Sequence, residues 1–202
     1  PTLRQAQLEA VPGATHHDSI GDLPGDGPLL LVANEFLDAL PIRQHVASFE
    51  RHVEAIGDGL AFDRDGDVVE SSPARDEAVQ ALSEGIVALG GVALIIDYGH
   101  VRTAPGDTLQ AVKGHAFAPV LHAPGEQDLT SHVDFQRIAE VAREAGAFVA
   151  GPQEQGPWLE RLGIQARARI LANAAPHRAA EIEEARARLC RPDAMGSLFK
   201  VL

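Results

Sequence analysis

Pro28-Leu29-Leu30-Leu31-Val32-Ala33 runs directly into Asn34-Glu35-Phe36-Leu37-Asp38-Ala39-Leu40-Pro41. The first part is a short, continuous apolar run, preceded by the turn-rich Gly21-Asp22-Leu23-Pro24-Gly25-Asp26-Gly27. An apolar run this short, bounded by turn residues, reads as a buried strand. A second run, Val92-Ala93-Leu94-Ile95-Ile96, follows Gly90-Gly91 and stops at Asp97. Before it, residues 74–89 place Ala78, Leu82, Ile86 and Leu89 at helical spacing, so the order is helix, turn, buried strand. The order recurs at 134–145, where Ile138, Val141, Ala142 and Ala145 share a helical face before Gly146 and the strand-like Ala147-Phe148-Val149-Ala150. Helices feeding apolar strands imply βαβ units and a largely parallel sheet.

Working outward, Arg43 to Glu70 alternates apolar and polar residues around the turn Asp63-Arg64-Asp65-Gly66-Asp67, which reads as an antiparallel insertion at about 43–70. Gly156 to Cys190 is rich in Ala, Arg, Glu and Leu and is broken by Pro176, as expected of two or three helices. Ser197-Leu198-Phe199-Lys200-Val201-Leu202 looks like a closing strand. The expectation is one α/β domain over 1–202, whose 45% hydrophobic side chains supply one sizeable core.

Composition narrows the function. No apolar run approaches the roughly 18 residues a membrane span requires, and the N-terminus lacks a signal-peptide pattern. The single cysteine, Cys190, leaves no disulfide or cysteine-based zinc site within one chain. A net charge of -12 disfavours broad phosphate-backbone binding, and 4% aromatic residues disfavours a base-stacking surface. The nine histidines show no metal-ligand spacing, so no metal is expected. Gly-x-Ser-x-Gly, phosphate-loop and dinucleotide fingerprints are absent as well. Abundant Ala, Gly and Arg point to a GC-rich bacterial source, hence the cytoplasm, and leave oligomerisation open.

In an open parallel sheet, ligands bind beyond the carboxyl ends of the strands. Asn34, Glu35 and Asp38 follow the first strand, and Asp97-Tyr98-Gly99-His100 follow the second, so both sets face one rim. Two readings stand at each. Asn34 can cap a helix whose first turn carries Glu35 and Asp38, or the three can form a site. Asp97-Tyr98-Gly99 can be strand-end turn chemistry, with Gly99 at positive φ, or part of that site. Asp134 or Thr130 is a candidate cap for the third helix, beside His132.

The string Leu31 to Pro41, with its Asn-Glu-Phe-hydrophobic-Asp-Ala-Leu-Pro core, resembles the MidA family. So do Ile95-Ile96-Asp97-Tyr98-Gly99-His100, Gly106-Asp107-Thr108-Leu109-Gln110-Ala111 through Gly114-His115, and Asp128 to Phe135. The ending Met195 to Leu202 is similar too, and Pro1 to Gln7 resembles the family segment that follows the second strand. The glycine-rich loop that family members carry upstream has no counterpart here, so the chain is expected to be N-terminally truncated relative to them.

The resemblance implies a Rossmann-like class I methyltransferase sheet and S-adenosylmethionine as cofactor. It implies methylation of a protein arginine, a substrate such as a respiratory complex I subunit, and the mitochondrial matrix as the location in eukaryotic relatives. Carried onto this chain, it makes Glu35, Asp38 and Asp97 catalytic candidates, Asp18, Ser19 and Asn34 cofactor-binding candidates, and Tyr98 and His132 substrate-binding candidates. Asp18 and Asp134 also have plain turn and cap readings. A non-catalytic assembly module and a small-molecule methyltransferase are the alternative functions.

Overall fold

The computed structural model describes residues 2–202; Pro1, where the segment likened to the family begins, lies outside them. Helix α1 (Thr2–Ala10) and a 3-10 turn at Ile20–Asp22 precede β1 (Leu29–Asn34). Strands β2 (Arg43–Val46), β3 (Phe49–Glu50), β4 (Val53–Ile56), β5 (Gly59–Phe62) and β6 (Val68–Ser71) come next, then α2 (Pro73–Leu89) and β7 (Gly91–His100). Strands β8 (Gln110–Lys113), β9 (Ala116–Ala118), β10 (Asp128–Thr130) and β11 (Val133–Asp134) lead into α3 (Phe135–Glu144). Last come β12 (Gln153–Glu154), α4 (Gln155–Arg161), α5 (Ile164–Ala174), α6 (Ala179–Cys190), α7 (Met195–Leu198) and β13 (Phe199–Val201).

The central sheet runs β1-β7-β13-β12, with β11 also on β7. Strand β1 pairs parallel with β7 from Leu29↔Gly91 to Asn34↔Ile96, and β11 takes over the same edge at Val133↔Gly99. The closing strand β13 enters antiparallel between β7 and β12, which makes the sheet mixed rather than largely parallel. Local chemistry accounts for the helices that cover it. The Ser72 hydroxyl accepts from Arg75 N and Pro73 opens α2, while the Asp134 carboxylate caps α3 by accepting from Arg137 N. Their apolar stripes place Val79, Ile138, Val141 and Ala142 against Ala33 and Ile95 of the sheet. The 43–71 region forms a three-stranded β3-β2-β6 sheet and a β4-β5 hairpin, all antiparallel.

Three expectations need correction. The first apolar run is buried on one face only: Leu30 is 84% and Val32 70% exposed, while Leu31 and Ala33 face the core. Residues 147–150 form no strand; Ala147 and Val149 pack on the core and Phe148 is exposed. Strand β7 does not stop at Asp97 but continues to His100, so Asp97, Tyr98 and Gly99 are strand rather than turn. Gly99 has no positive φ. A Cβ there would fall on the Val133 carbonyl, so glycine serves the close approach of β11. Among the described residues, no helix is long and apolar enough to cross a membrane.

Candidate functional site

Asn34 ends β1 and no helix begins there. Glu35 takes φ 48°, in the left-handed region that non-glycine residues seldom enter, while its N–H still donates to Ile96 O at 3.0 Å. The amides that a helix cap would have served turn inward instead. Leu37 N and Asp38 N donate to Asp97 Oδ2 at 3.0 and 3.2 Å, and Tyr98 N donates to Asp97 Oδ1 at 2.9 Å. Asp97 is fully buried, so it acts as a carboxylate anchor that folds the segment after β1 onto β7.

That segment separates Glu35 from Asp38. Glu35 is exposed, whereas Asp38 is buried and its Oδ2 accepts from the Tyr98 hydroxyl at 2.6 Å. Asp38 Oδ1 is buried with no hydrogen-bond partner among the described residues. Burial, and then the Asp38 charge, push the Asp97 carboxyl up to about 6 against the pull of its three amides. Burial and the bond to Asp38 likewise hold the Tyr98 phenol above its ordinary value.

A buried cation completes the network. Arg75 Nε donates to Leu37 O (2.7 Å), Nη1 to His132 O (2.7 Å), and Nη2 to Asp38 O, Ser131 O and Ser131 Oγ (3.2, 3.1 and 2.7 Å). Burial pulls its pKa down, while the charges of Asp97, Glu70 and Asp38 oppose that pull. Arg75 therefore staples the loop after β1 to the loop before β11. Reading the sequence for motifs missed it, although a signal was present. Arg75 lies at helical spacing with Val79 and Leu82, a cation on the buried stripe of α2.

Four of the expected residues share a concavity. Asp18, Ser19, Asn34 and Glu35 line one cavity of ≈ 550 Å³, with Ile20, Leu31 and Phe36 as apolar wall. Asp18 is exposed and pairs with Arg4, whose hydrogen bond lowers its pKa. The Ser19 hydroxyl accepts from Gly21 N at 3.0 Å, capping the short turn. Asp38 and Asp97 line neither this cavity nor the one that holds His132. The His132 ring lies edge-on to Tyr98, 5.7 Å between centroids, and burial lowers its pKa, with nearby His100 adding to the effect. Among the described residues no cluster of His, Cys, Asp or Glu is placed to hold a metal ion.

Asp97 makes a pH prediction. An unfolded aspartate titrates near 3.9, and about 6 in the folded chain means that the native state holds this proton more tightly. Its contribution is then fully present below about pH 4 and is lost as pH rises toward 6, on the order of 2–3 kcal/mol. His132 and Asp134, whose values are lowered, act in the opposite direction. The measurement is thus a difference: unfolding free energy of wild type minus Asp97→Asn between pH 4 and 7. It should fall with rising pH, and a flat difference would mean that Asp97 is ionised without penalty.

A mixed sheet flanked by helices, with a largely apolar cavity at the end of β1 that carries a few polar groups, is the arrangement of an α/β protein of the nucleotide-cofactor-binding kind. Residues 45–153 match the family model described as an S-adenosyl-L-methionine-dependent methyltransferase, and the chain belongs to that family. Among curated proteins it is similar to the mitochondrial protein arginine methyltransferase NDUFAF7 of Mus musculus, 32% identical over 98% of this chain and 50% of that protein. The Caenorhabditis elegans homolog is 29% identical over 85% of this chain and 46% of its own length. The chain thus spans about half the length of the curated relatives it matches. A COG1565 superfamily protein from Burkholderia thailandensis superposes with TM-score 0.80 at 26% identity, over 98% of this chain and 61% of that one. A second structure from that organism, bound to S-adenosyl-homocysteine, gives 0.79 at 26% identity, over 98% and 59%. The α/β class expected from the sequence matches these structures, with a mixed central sheet in place of the largely parallel one expected.

Proposed function

We propose that this chain carries the adenosine-facing and substrate-facing residues of a protein arginine methyltransferase. One observation carries the reading: Asp18, Ser19, Asn34 and Glu35 line a single cavity at the carboxyl end of β1. The donor set fits the cofactor. A carboxylate and a hydroxyl stand beside apolar wall, as an adenine amine, a ribose and a base edge require. Asp18 would accept from the adenine amine in exchange for its exposed bond to Arg4. Asn34 would orient the amino-acid end of the cofactor.

S-adenosylmethionine, when bound, supplies a methyl group activated by a positive sulfur. The chain's part is placement. The Glu35 carboxylate can accept two parallel N–H bonds from a guanidinium, fixing its plane and leaving one nitrogen free to react. Holding that nitrogen in line supplies much of the rate. Asp97, Asp38 and Arg75 act through the backbone that holds Glu35, and Tyr98 with His132 forms the substrate side. On the family resemblance, the substrate is a subunit of respiratory complex I and the setting is its assembly, in the cytoplasm for a bacterial source.

Calorimetry with S-adenosyl-homocysteine tests the reading, on this chain and on a polypeptide extended to the relatives' length. Binding is expected, about tenfold weaker in Asp18→Asn and unchanged in Glu35→Gln. If neither polypeptide binds it, the methyltransferase reading fails and a non-catalytic assembly module takes its place.

A further inference from the structure

A second cavity, ≈ 540 Å³, opens where the first turns of α2 and α3 meet the end of β7. Ile42, Pro73, Pro105 and Ile138 give it apolar wall, and Glu70, His100, His132, Asp134 and Glu140 give it polar groups. Two opposed charges compete to decide its ligand. Helix N-termini carry roughly half a positive charge each, and Arg75 and Arg137 also reach the lining. These favour an anion.

Each of those positive groups is already engaged. The Ser72 hydroxyl caps α2, and Asp134 caps α3. Arg75 turns all its bonds onto loop carbonyls and Ser131. Arg137 pairs with Asp76 at 2.9 Å. Among the described residues, three carboxylates have no Lys or Arg side chain as hydrogen-bond partner. Glu70 accepts from Gln44 (2.8 Å), from the Thr108 amide (3.0 Å) and from the Thr108 hydroxyl. Asp134 accepts from the Thr103 hydroxyl (2.6 Å) and the Arg137 amide (3.0 Å), with His100 Nε2 at 3.9 Å. Glu140 accepts from the Gln136 amide group (3.0 Å).

The balance is negative and the walls are apolar. A metal ion does not suit it, since among the described residues the carboxylates and imidazoles are not clustered as ligands. A long basic side chain does: its methylene stem lies on apolar wall while its head reaches carboxylates and imidazole nitrogens. We propose that this cavity is a second substrate subsite, which takes a lysine or arginine side chain flanking the target arginine of the protein substrate. That ligand identity rests on the methyltransferase reading; the cation preference does not. His132, held on the neutral side by burial, offers a ring nitrogen as acceptor from the same head group.

The test titrates Nα-acetyl-arginine methylamide into the chain and follows the imidazole proton resonances of His100 and His132. Saturable shifts of both are expected, with none from Nα-acetyl-glutamine methylamide. Asp134→Asn keeps a helix cap while removing the charge, and Glu140→Gln alters only a helix surface; each should weaken binding about tenfold. The shifts are read at His100 and His132 of this cavity and need no S-adenosyl-homocysteine, so a failed methyltransferase reading and a failed subsite give different results. No saturable shift, equal shifts from the glutamine probe, or shifts from inorganic phosphate alone would overturn the proposal.

Discussion

Replacing Arg75 by methionine is expected to cost about 3–5 kcal/mol of unfolding free energy, read as a shift in denaturant midpoint. The side chain is buried and makes five hydrogen bonds, four of them to main-chain carbonyls of Leu37, Asp38, Ser131 and His132. Methionine fills similar volume and bonds none of these oxygens; Ser131 O and His132 O lose the guanidinium and are left dehydrated, whereas Leu37 O and Asp38 O keep the amides of Leu40 and Ser131. Arg75→Lys should recover part of the loss, because an ammonium reaches some of the carbonyls but cannot present the planar fork that spans two loops. The charge balance shifts as well. With the guanidinium gone, Asp97 and Asp38 face each other without a buried cation, so the Asp97 carboxyl should titrate higher still. A loss under about 1 kcal/mol would mean that water serves these carbonyls and that the staple is unnecessary.

The elements legible in the sequence were those whose own residues set them. The apolar runs at 28–33 and 92–96 supply two parallel strands of one sheet, and Asp134 caps the helix it borders. What escaped depends on partners far away in the chain. Ala147-Phe148-Val149-Ala150 has strand composition but finds no ladder, because the place beside β13 goes to Gln153 and Glu154. Strands β8, β9 and β10 are short, and β8 and β9 turn through Gly114 and His115, both at positive φ, which no periodicity announces. At the candidate site, Asn34 is a good helix cap by composition. The Asp97 carboxylate, 60 positions on, takes the amide of Leu37 and the helix does not form. The rim was legible as a place where polar residues gather; the division into an exposed Glu35 and a buried Asp38–Asp97–Tyr98 network was not. That division follows from one left-handed residue and one buried arginine.

Glu35→Gln is expected to lower methyl transfer to an arginine peptide by about 10²–10³-fold, with S-adenosyl-homocysteine binding unchanged. The amide keeps the shape and one acceptor but cannot accept two parallel bonds from a guanidinium. The backbone makes the same residue distinctive in a second way. Glu35 sits at φ 48°, a conformation that costs an L-residue on the order of 1–2 kcal/mol and that glycine enters freely. A chain under selection for stability alone would place glycine there. Glu35→Gly is therefore expected to leave the protein as stable or up to about 1 kcal/mol more stable, while methyl transfer falls as far as in Glu35→Gln. Strain of this kind persists where the surroundings enforce it and a function uses it. Here the Asp97 carboxylate and the Arg75 fork enforce it through the amides and carbonyls of Leu37 and Asp38. If Glu35→Gly instead destabilises the fold and Glu35→Gln retains activity, the side chain has a structural role, and the carboxylate that holds the guanidinium must be sought elsewhere on the rim.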